Sequence, residues 1–392
     1  MVVELIFERI RKEWQLSPIK PEQAASRFEA VGQLWKHVVV KDKVVLKHSI
    51  CSEANAKLLL GTREALTLLW PITLVVNSPI LIEGPDGKAD ILAAGYHHWG
   101  SGTLVTKGER PPDPGLDEAT ESLLEVLEDF DFELPADRLR ALAAMITPAI
   151  VWGGFLGDAH VPLFLAEAND SQAGKGYILE RAAAIYGETL LPQAPRKGGV
   201  GSFDEDFNAI LLKGKPIIFF DNLRDPLDSP YVESFLTARG SFLVRTPHRA
   251  AVEIDVRKYI IFATSNGLET TRDLENRLIR MRIRKRPPKY KFKSFSGLRA
   301  FDHIKKNQSY YLGCVFAIVR HWLENGKKRT RETRHSFREW AQILDWILMT
   351  AFKGKVRGRL MDECHPPSKS KGLASQYGLD GSNSSDSEPE NS

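Results

Sequence analysis

The chain has 392 residues, 43% of them hydrophobic and 27% charged, with a net charge of +4 and three cysteines. That balance belongs to a globular protein of two or three domains and excludes a fibre or a wholly disordered chain. Cys51, Cys314 and Cys364 are scattered without a CxxC pair, which argues against a disulfide framework or a zinc site and for a reducing compartment.

The first stretch, MVVELIFERIRKEW, carries Glu4 and Glu8 inside its apolar run, unlike a secretory leader. No run approaches the ~20 apolar residues of a membrane span, so a cytoplasmic protein without membrane contact is expected. Residues 1–65 read as a helical region of unknown role, with a strand pair about KHVVVKDKVVLKH. Residues 66–112 change to short β-type runs broken by NSP, GPDG and GSG, a small sheet of hairpins that ends in the linker ERPPDPGLD. From 113 to 286 a helical period gives way to alternating strands and helices, the pattern of a layered α/β core with a largely parallel sheet. RPPKYKFKSF opens a basic helical unit, 287–365, helical or winged-helix in kind. The last segment, 366–392, is Ser, Gly and acid and is expected to be disordered.

Within the core, VPLFLAEA reads as a strand covered on both faces, followed by the small residues NDSQA, then Gly174, Lys175, Gly176 and a helix. This is the context of a phosphate-binding loop, in which backbone N–H groups and a helix N-terminus face phosphates and the lysine adds a point charge. Ser171, Gly174, Lys175 and Gly176 are the candidate nucleotide-binding residues. The position after the lysine is Gly176 instead of a metal-binding hydroxyl, and the usual first glycine is Asn169; Ser171 is the nearby hydroxyl. A plain strand-to-helix turn would carry the same residues.

Downstream strands supply companions. KPIIFFDN runs into Asp221, placed to hold Mg2+, and Asn222 stands where a water-polarising glutamate is usual. Glu188, Asp225 and Asp228 are the acids near enough in sequence to replace it. KYIIFATSNG ends in Thr264, Ser265 and Asn266, the last a candidate sensor of the γ-phosphate. Arg277 follows an acidic helix start and could reach a neighbouring subunit's nucleotide as an arginine finger. Each strand alone could be plain core, and Arg277 a surface arginine.

In this order AGKG, IIFFDN, FATSNG and RDLENRLIRMRI resemble an AAA+ type P-loop ATPase, and in particular the helicase or primase-helicase proteins of phages, plasmids and integrating elements. The resemblance extends over roughly residues 75–365. It implies ATP and Mg2+ as cofactors, a homo-oligomeric, hexameric ring, single-stranded DNA as partner and a primase or other replication partner. The candidate catalytic residues are then Lys175, Asp221, Asn222, Asn266 and Arg277, with Asp221 on the metal.

For nucleic acid, SFLVRT and AVEIDV suggest a hairpin whose basic tip, with Arg245, His248 and Arg249, is similar to the pore hairpin of superfamily three ring helicases; a plain connector is the alternative. Arginines 280, 282 and 284 alternate with apolar residues, and Lys289, Lys291 and Lys293 interleave with Tyr290 and Phe292, so a row of cations on a strand face could follow a phosphate backbone. A solvated basic edge would look alike. Between Arg277 and Lys306 twelve Lys or Arg face one acid, Asp302. KKRTR, residues 327–331, is a second basic run.

Two functions of different class follow. The first is an ATP-dependent DNA helicase or translocase acting in replication of a mobile element. The second is a nucleotide-binding, weakly or non-hydrolysing initiator or assembly protein, suggested by Gly176 and Asn222. A transcriptional regulator with an AAA+ module ranks third, since no sensor domain is legible. No HExxH, GxSxG or ordered Cys/His pair supports a metalloprotease or triad hydrolase.

Overall fold

The computed structural model describes residues 3–8, 13–168, 170, 172–191, 203–223, 229–245 and 251–362. The chain begins with a hairpin of β1 (Val3–Glu8) and β2 (Glu13–Pro18), then α1 (Pro21–Val31), a second hairpin of β3 (Leu34–Val40) and β4 (Lys43–Ser49), and the short helices α2 (Glu53–Gly61) and α3 (Arg63–Thr67). The strand pair read from KHVVVKDKVVLKH is present, turned by Lys41 and Asp42, both at positive φ as a tight two-residue turn requires. The stretch before α1 is a correction to the helical reading. In β2, Trp14 and Leu16 alternate with Glu13, Gln15 and Ser17, a period of two that suits a strand and gives a helix no apolar stripe.

Next come β5 (Leu74–Val76), β6 (Ile80–Glu83), β7 (Ala89–Leu92), β8 (Gly95–His97) and β9 (Thr103–Val105). β6 and β7 form a hairpin; β5, β9 and β8 form a three-stranded sheet in which β5 and β9 run parallel. A Cβ on Gly102 would fall 1.9 Å from the Pro71 carbonyl oxygen, so only glycine permits that approach. Val76, Ile80, Leu81 and Val105 point into the main core, which makes this sheet part of the same body.

The centre is built from α4 (Leu116–Glu125), β10 (Asp131–Phe132), α5 (Pro135–Trp152), β11 (Leu163–Glu167), α6 (Lys175–Ile185), α7 (Phe203–Leu212), β12 (Ile217–Leu223), α8 (Pro230–Thr237), the hairpin β13 (Ser241–Val244) and β14 (Val252–Asp255), β15 (Ile260–Ser265), α9 (Arg272–Glu275) and β16 (Leu278–Arg284). Five strands lie in the order β10, β16, β11, β15, β12; the last four are parallel and β10 is an antiparallel edge. Alternate residues divide between the two faces. Phe164, Ala166, Phe219, Phe262 and Met281 pack with α5 and α6, whereas Leu165, Ile218, Phe220, Ile261 and Ala263 pack with α7 and α8. A parallel sheet covered on both faces explains why β11 and β15 are apolar without alternation. The mixed α/β architecture expected for 113–286 is what forms.

Three further helices, α10 (Ala300–Lys306), α11 (Gln308–Glu324) and α12 (Arg338–Ala351), belong to the same apolar cluster as α5 and α6, through Val315, Phe316, Trp322, Trp340 and Leu344. The buried pair Arg140 and Asp137 on α5, 2.7 Å apart, ties them in, since Arg140 also donates to the carbonyls of Leu360 and Asp362. Among the described residues beyond β16 no strand accompanies these helices, so the helical form of the expected C-terminal unit is seen and not a winged one. Cys51 and Cys314 are free and buried. No described helix is long and apolar enough to cross a membrane.

Candidate functional site

β11 is flanked by β16 on one side and β15 on the other, and the chain leaves its carboxyl end for β12 two places away. Crevices of this kind, where successive connections diverge, are where open α/β sheets receive ligands. The loop from β11 reaches α6 through Gln172 at φ +58 and Gly174 at φ +91. Gly174 is the residue before the first turn of α6, in a left-handed conformation that costs a residue with a Cβ about 1–2 kcal/mol. Gly174, Lys175 and Gly176 line the crevice, at a helix start of the kind that leaves backbone N–H groups without intrahelical acceptors.

Lys175 is the first residue of α6 and its side chain is nearly buried. Its Nζ donates to Asn266 Oδ1 at 2.5 Å and to the Asp170 carbonyl at 3.4 Å. Burial lowers the pKa of this ammonium, and Asp221, Asp170 and Glu167 pull it back up. At the end of β12 the ladder to β15 slips between Phe220 and Leu223, a bulge that re-aims Asp221 and Asn222; Asn222 sits at φ +55. One hydroxyl fixes both: Thr264 Oγ1 donates to Asp221 Oδ1 at 2.6 Å and accepts from the Asn222 N–H at 2.7 Å.

Lys175, Asp221, Asn222, Thr264 and Asn266 therefore line one open cleft of about 640 Å³, together with Gly174 and Gly176. Glu180 on α6 lines it too, and the sequence reading passed over it. Burial raises the pKa of its carboxyl, and the neighbouring charge of Asp221 raises it further. The available signal was its spacing, one helical turn after Gly176. A second cavity of about 590 Å³ adjoins the first through Gln172, Ala173, Gly174 and Tyr177, and its wall includes Phe130, Phe292 and Phe301. Arg181 borders it, its guanidinium 4.5 Å above the Phe130 ring and donating to the Val126 carbonyl; burial pushes its pKa down to about 10.

Other residues singled out from sequence fall elsewhere. Ser171, His248, Arg249, Asp225 and Asp228 lie outside the described residues, as does Asn169. Arg245 is exposed at the end of β13. Arg277 is not among the residues lining the cleft; it precedes β16 and pairs with Glu233 of α8 at 3.5 Å. Glu188, buried beyond the far end of α6, accepts from the backbone and side-chain nitrogens of Asn77, both at 3.0 Å, and is no candidate for activating water in the cleft.

The row of cations on residues 280–284 is also corrected. Arg280 is 4% exposed and gives its guanidinium to Glu167 at 2.7 Å and Glu275 at 2.5 Å, while Arg282 reaches the other oxygen of Glu167 at 2.7 Å. Only Arg284 of the three is exposed. A buried carboxylate at the end of β11, invisible as a partner in sequence, consumes the other two charges. Lys293 is likewise engaged, with Glu125 and Glu128.

Among the described residues no group of three or more His, Cys, Asp or Glu could cage a metal. The Asp221 carboxylate and the Thr264 hydroxyl are hard oxygen donors, the kind that Mg2+ takes together with waters and substrate phosphates.

No protein-family model matches the chain, and no curated protein matches it. Among solved structures it is similar to the A form of the NrS-1 C-terminal region, at 10% identity and a TM-score of 0.37, over 80% of this chain and 66% of that one. It is also similar to the SCCmec type IV Cch active helicase, at 13% identity and a TM-score of 0.34, over 82% of this chain and 65% of that one. A JCV helicase is similar at 10% identity and a TM-score of 0.24, over 54% and 65%. The chain spans about two thirds of the length of these structures. The assignment of the site rests on its own geometry.

Proposed function

We propose that the protein is a P-loop nucleoside triphosphatase of AAA+ type, acting on DNA as a helicase or translocase of a mobile element. The observation that carries the reading is the convergence of Lys175, Asp221 and Asn266, from three separate strand ends, on one cleft at the N-terminus of α6. Backbone N–H groups of Gly174 to Gly176 hold the β-phosphate, and Lys175 exchanges its bond to Asn266 for the outer phosphates. Asn266, released, is placed to sense the γ-phosphate. Asp221, held by Thr264, would hold the metal, which would supply positive charge against that of the phosphates. The aromatic cavity next to the loop suits the base, which stacks on flat side chains.

Arg277 acts across a subunit boundary in a ring, and the β13–β14 hairpin with Arg245, His248 and Arg249 grips the strand backbone. ATP turnover with and without single-stranded DNA tests the reading. Lys175→Ala should abolish DNA-stimulated phosphate release, and a mutant releasing phosphate at the wild-type rate would refute it. Asn222, an amide that orients water but is a poor base, favours the second reading of a nucleotide-ordered assembly protein. Tight ATP binding with turnover no faster than in free solution would select that one.

A further inference from the structure

Gly176 stands where a phosphate loop carries the hydroxyl that meets Mg2+. What occupies that neighbourhood comes from the same helix. Gly176 and Glu180 are four residues apart in α6, so they share a face one turn from each other. Helical side chains lean toward the N-terminus, which carries the Glu180 carboxylate back over the bare backbone of Gly176. A Cβ built on Gly176 would lie 4.0 Å from Glu180 Oε1. A hydroxyl at position 176, one bond beyond that Cβ, and the Glu180 carboxylate thus serve the same region of space. Both Glu180 and Asp221 line the cleft.

Resting on the nucleotide reading above, we propose that Glu180 is a metal-holding residue, supplying the oxygen donor that Gly176 lacks and acting with Asp221 on the magnesium of the bound nucleotide. A carboxylate on a longer arm replaces a short hydroxyl, and glycine at 176 leaves the path over the turn clear. Two carboxylates plus substrate phosphates is the usual way proteins hold this ion. The hydrogen bonds of the neighbouring cations go elsewhere, those of Lys175 to Asn266 and Asp170 and that of Arg181 to Val126, although the Arg181 charge acts on the Glu180 carboxylate from a distance. The assignment also accounts for a loop that lacks the hydroxyl after its lysine while keeping Gly174 and Lys175.

The test is the metal dependence of nucleotide affinity, read by calorimetry with a non-hydrolysable ATP analogue in excess Mn2+ and in EDTA. Four proteins are compared: wild type, Glu180→Gln, Gly176→Ser, and the double variant. Glutamine keeps the size and removes the charge, and the space above Gly176 admits a serine. Glu180→Gln should bind no more weakly in EDTA, where losing the carboxylate only relieves repulsion of the phosphates, and shrink the gain from Mn2+ at least tenfold through a fall in the affinity measured with Mn2+. In the double variant Gly176→Ser should restore most of that gain. A Glu180→Gln protein that gains as much from Mn2+ as wild type overturns the assignment, as does a double variant no better than Glu180→Gln. Wild type that binds no analogue under either condition overturns the nucleotide reading and this assignment with it.

Discussion

Glu167→Gln tests the buried ion network that anchors the end of β11, and with it the start of the loop that leads to Lys175. Glu167 is 3% exposed and accepts from Arg280 at 2.7 Å, Arg282 at 2.7 Å and the Leu268 N–H at 2.8 Å. Burial alone would raise its pKa; the two arginines and the amide more than reverse that, so the carboxyl is held below the usual value. Glutamine can keep one acceptor, but its amide turns two N–H bonds toward a guanidinium. Removing one member of a buried pair costs about 3–5 kcal/mol, because the other charge is left without compensation. Arg280 keeps Glu275, and Arg282, 22% exposed at its side chain, can turn to water. Both point to the lower end, about 3 kcal/mol, or roughly a hundredfold in the folding equilibrium. Urea unfolding followed by circular dichroism should show the midpoint falling at unchanged slope. A loss below about 1 kcal/mol, the range of exposed pairs, would refute the claim that Arg280 is a desolvated charge neutralised by Glu167.

Two further outcomes follow from single side chains. Thr264→Val keeps the shape of a residue 2% exposed but removes the donor to Asp221 and the acceptor of the Asn222 N–H; stability should fall by about 1–3 kcal/mol, and calorimetry should show metal-dependent nucleotide affinity dropping several-fold while binding in EDTA holds. His335, buried between Phe337 and Trp340, accepts the Phe337 N–H at Nδ1, so it is neutral with its proton on the nitrogen facing the Leu278 carbonyl. Burial pushes its pKa down to about 4, below the unfolded value, so the unfolded chain takes up the proton first and stability falls as pH drops from about 6.5 toward 4. The loss reaches about 3 kcal/mol and should vanish from the pH profile of His335→Gln. Glu332, whose pKa is held down from 4.5 to about 2 chiefly by Arg334, gives up its own contribution as pH falls from its ordinary value toward about 2, a window that opens where that of His335 closes.

The core strands β11, β12 and β15 and the turn that starts α6 were legible in sequence because each depends on near neighbours in the chain. Four or five apolar residues running into Asp221, or into Thr264 and Asn266, specify a buried strand with a polar end wherever it is placed. A glycine before Lys175 permits the left-handed turn that starts α6. The turn at Lys41 and Asp42 was equally local. What the tertiary structure alone decided is which charges are spent. Arg280 and Arg282 had the alternation of an exposed basic strand, yet β16 lies beside β11, and Glu167, more than a hundred residues earlier, absorbs both. Glu188 looked available by proximity and is held by Asn77 across the fold, whereas Glu180 drew no notice until α6 was seen to turn its carboxylate over Gly176. Hydrophobic period and backbone permission act over a few residues, so a sequence displays them. The pairing of ions and the sharing of a cleft depend on which strand ends lie side by side, and the packing of the sheet against α5 to α8 sets that.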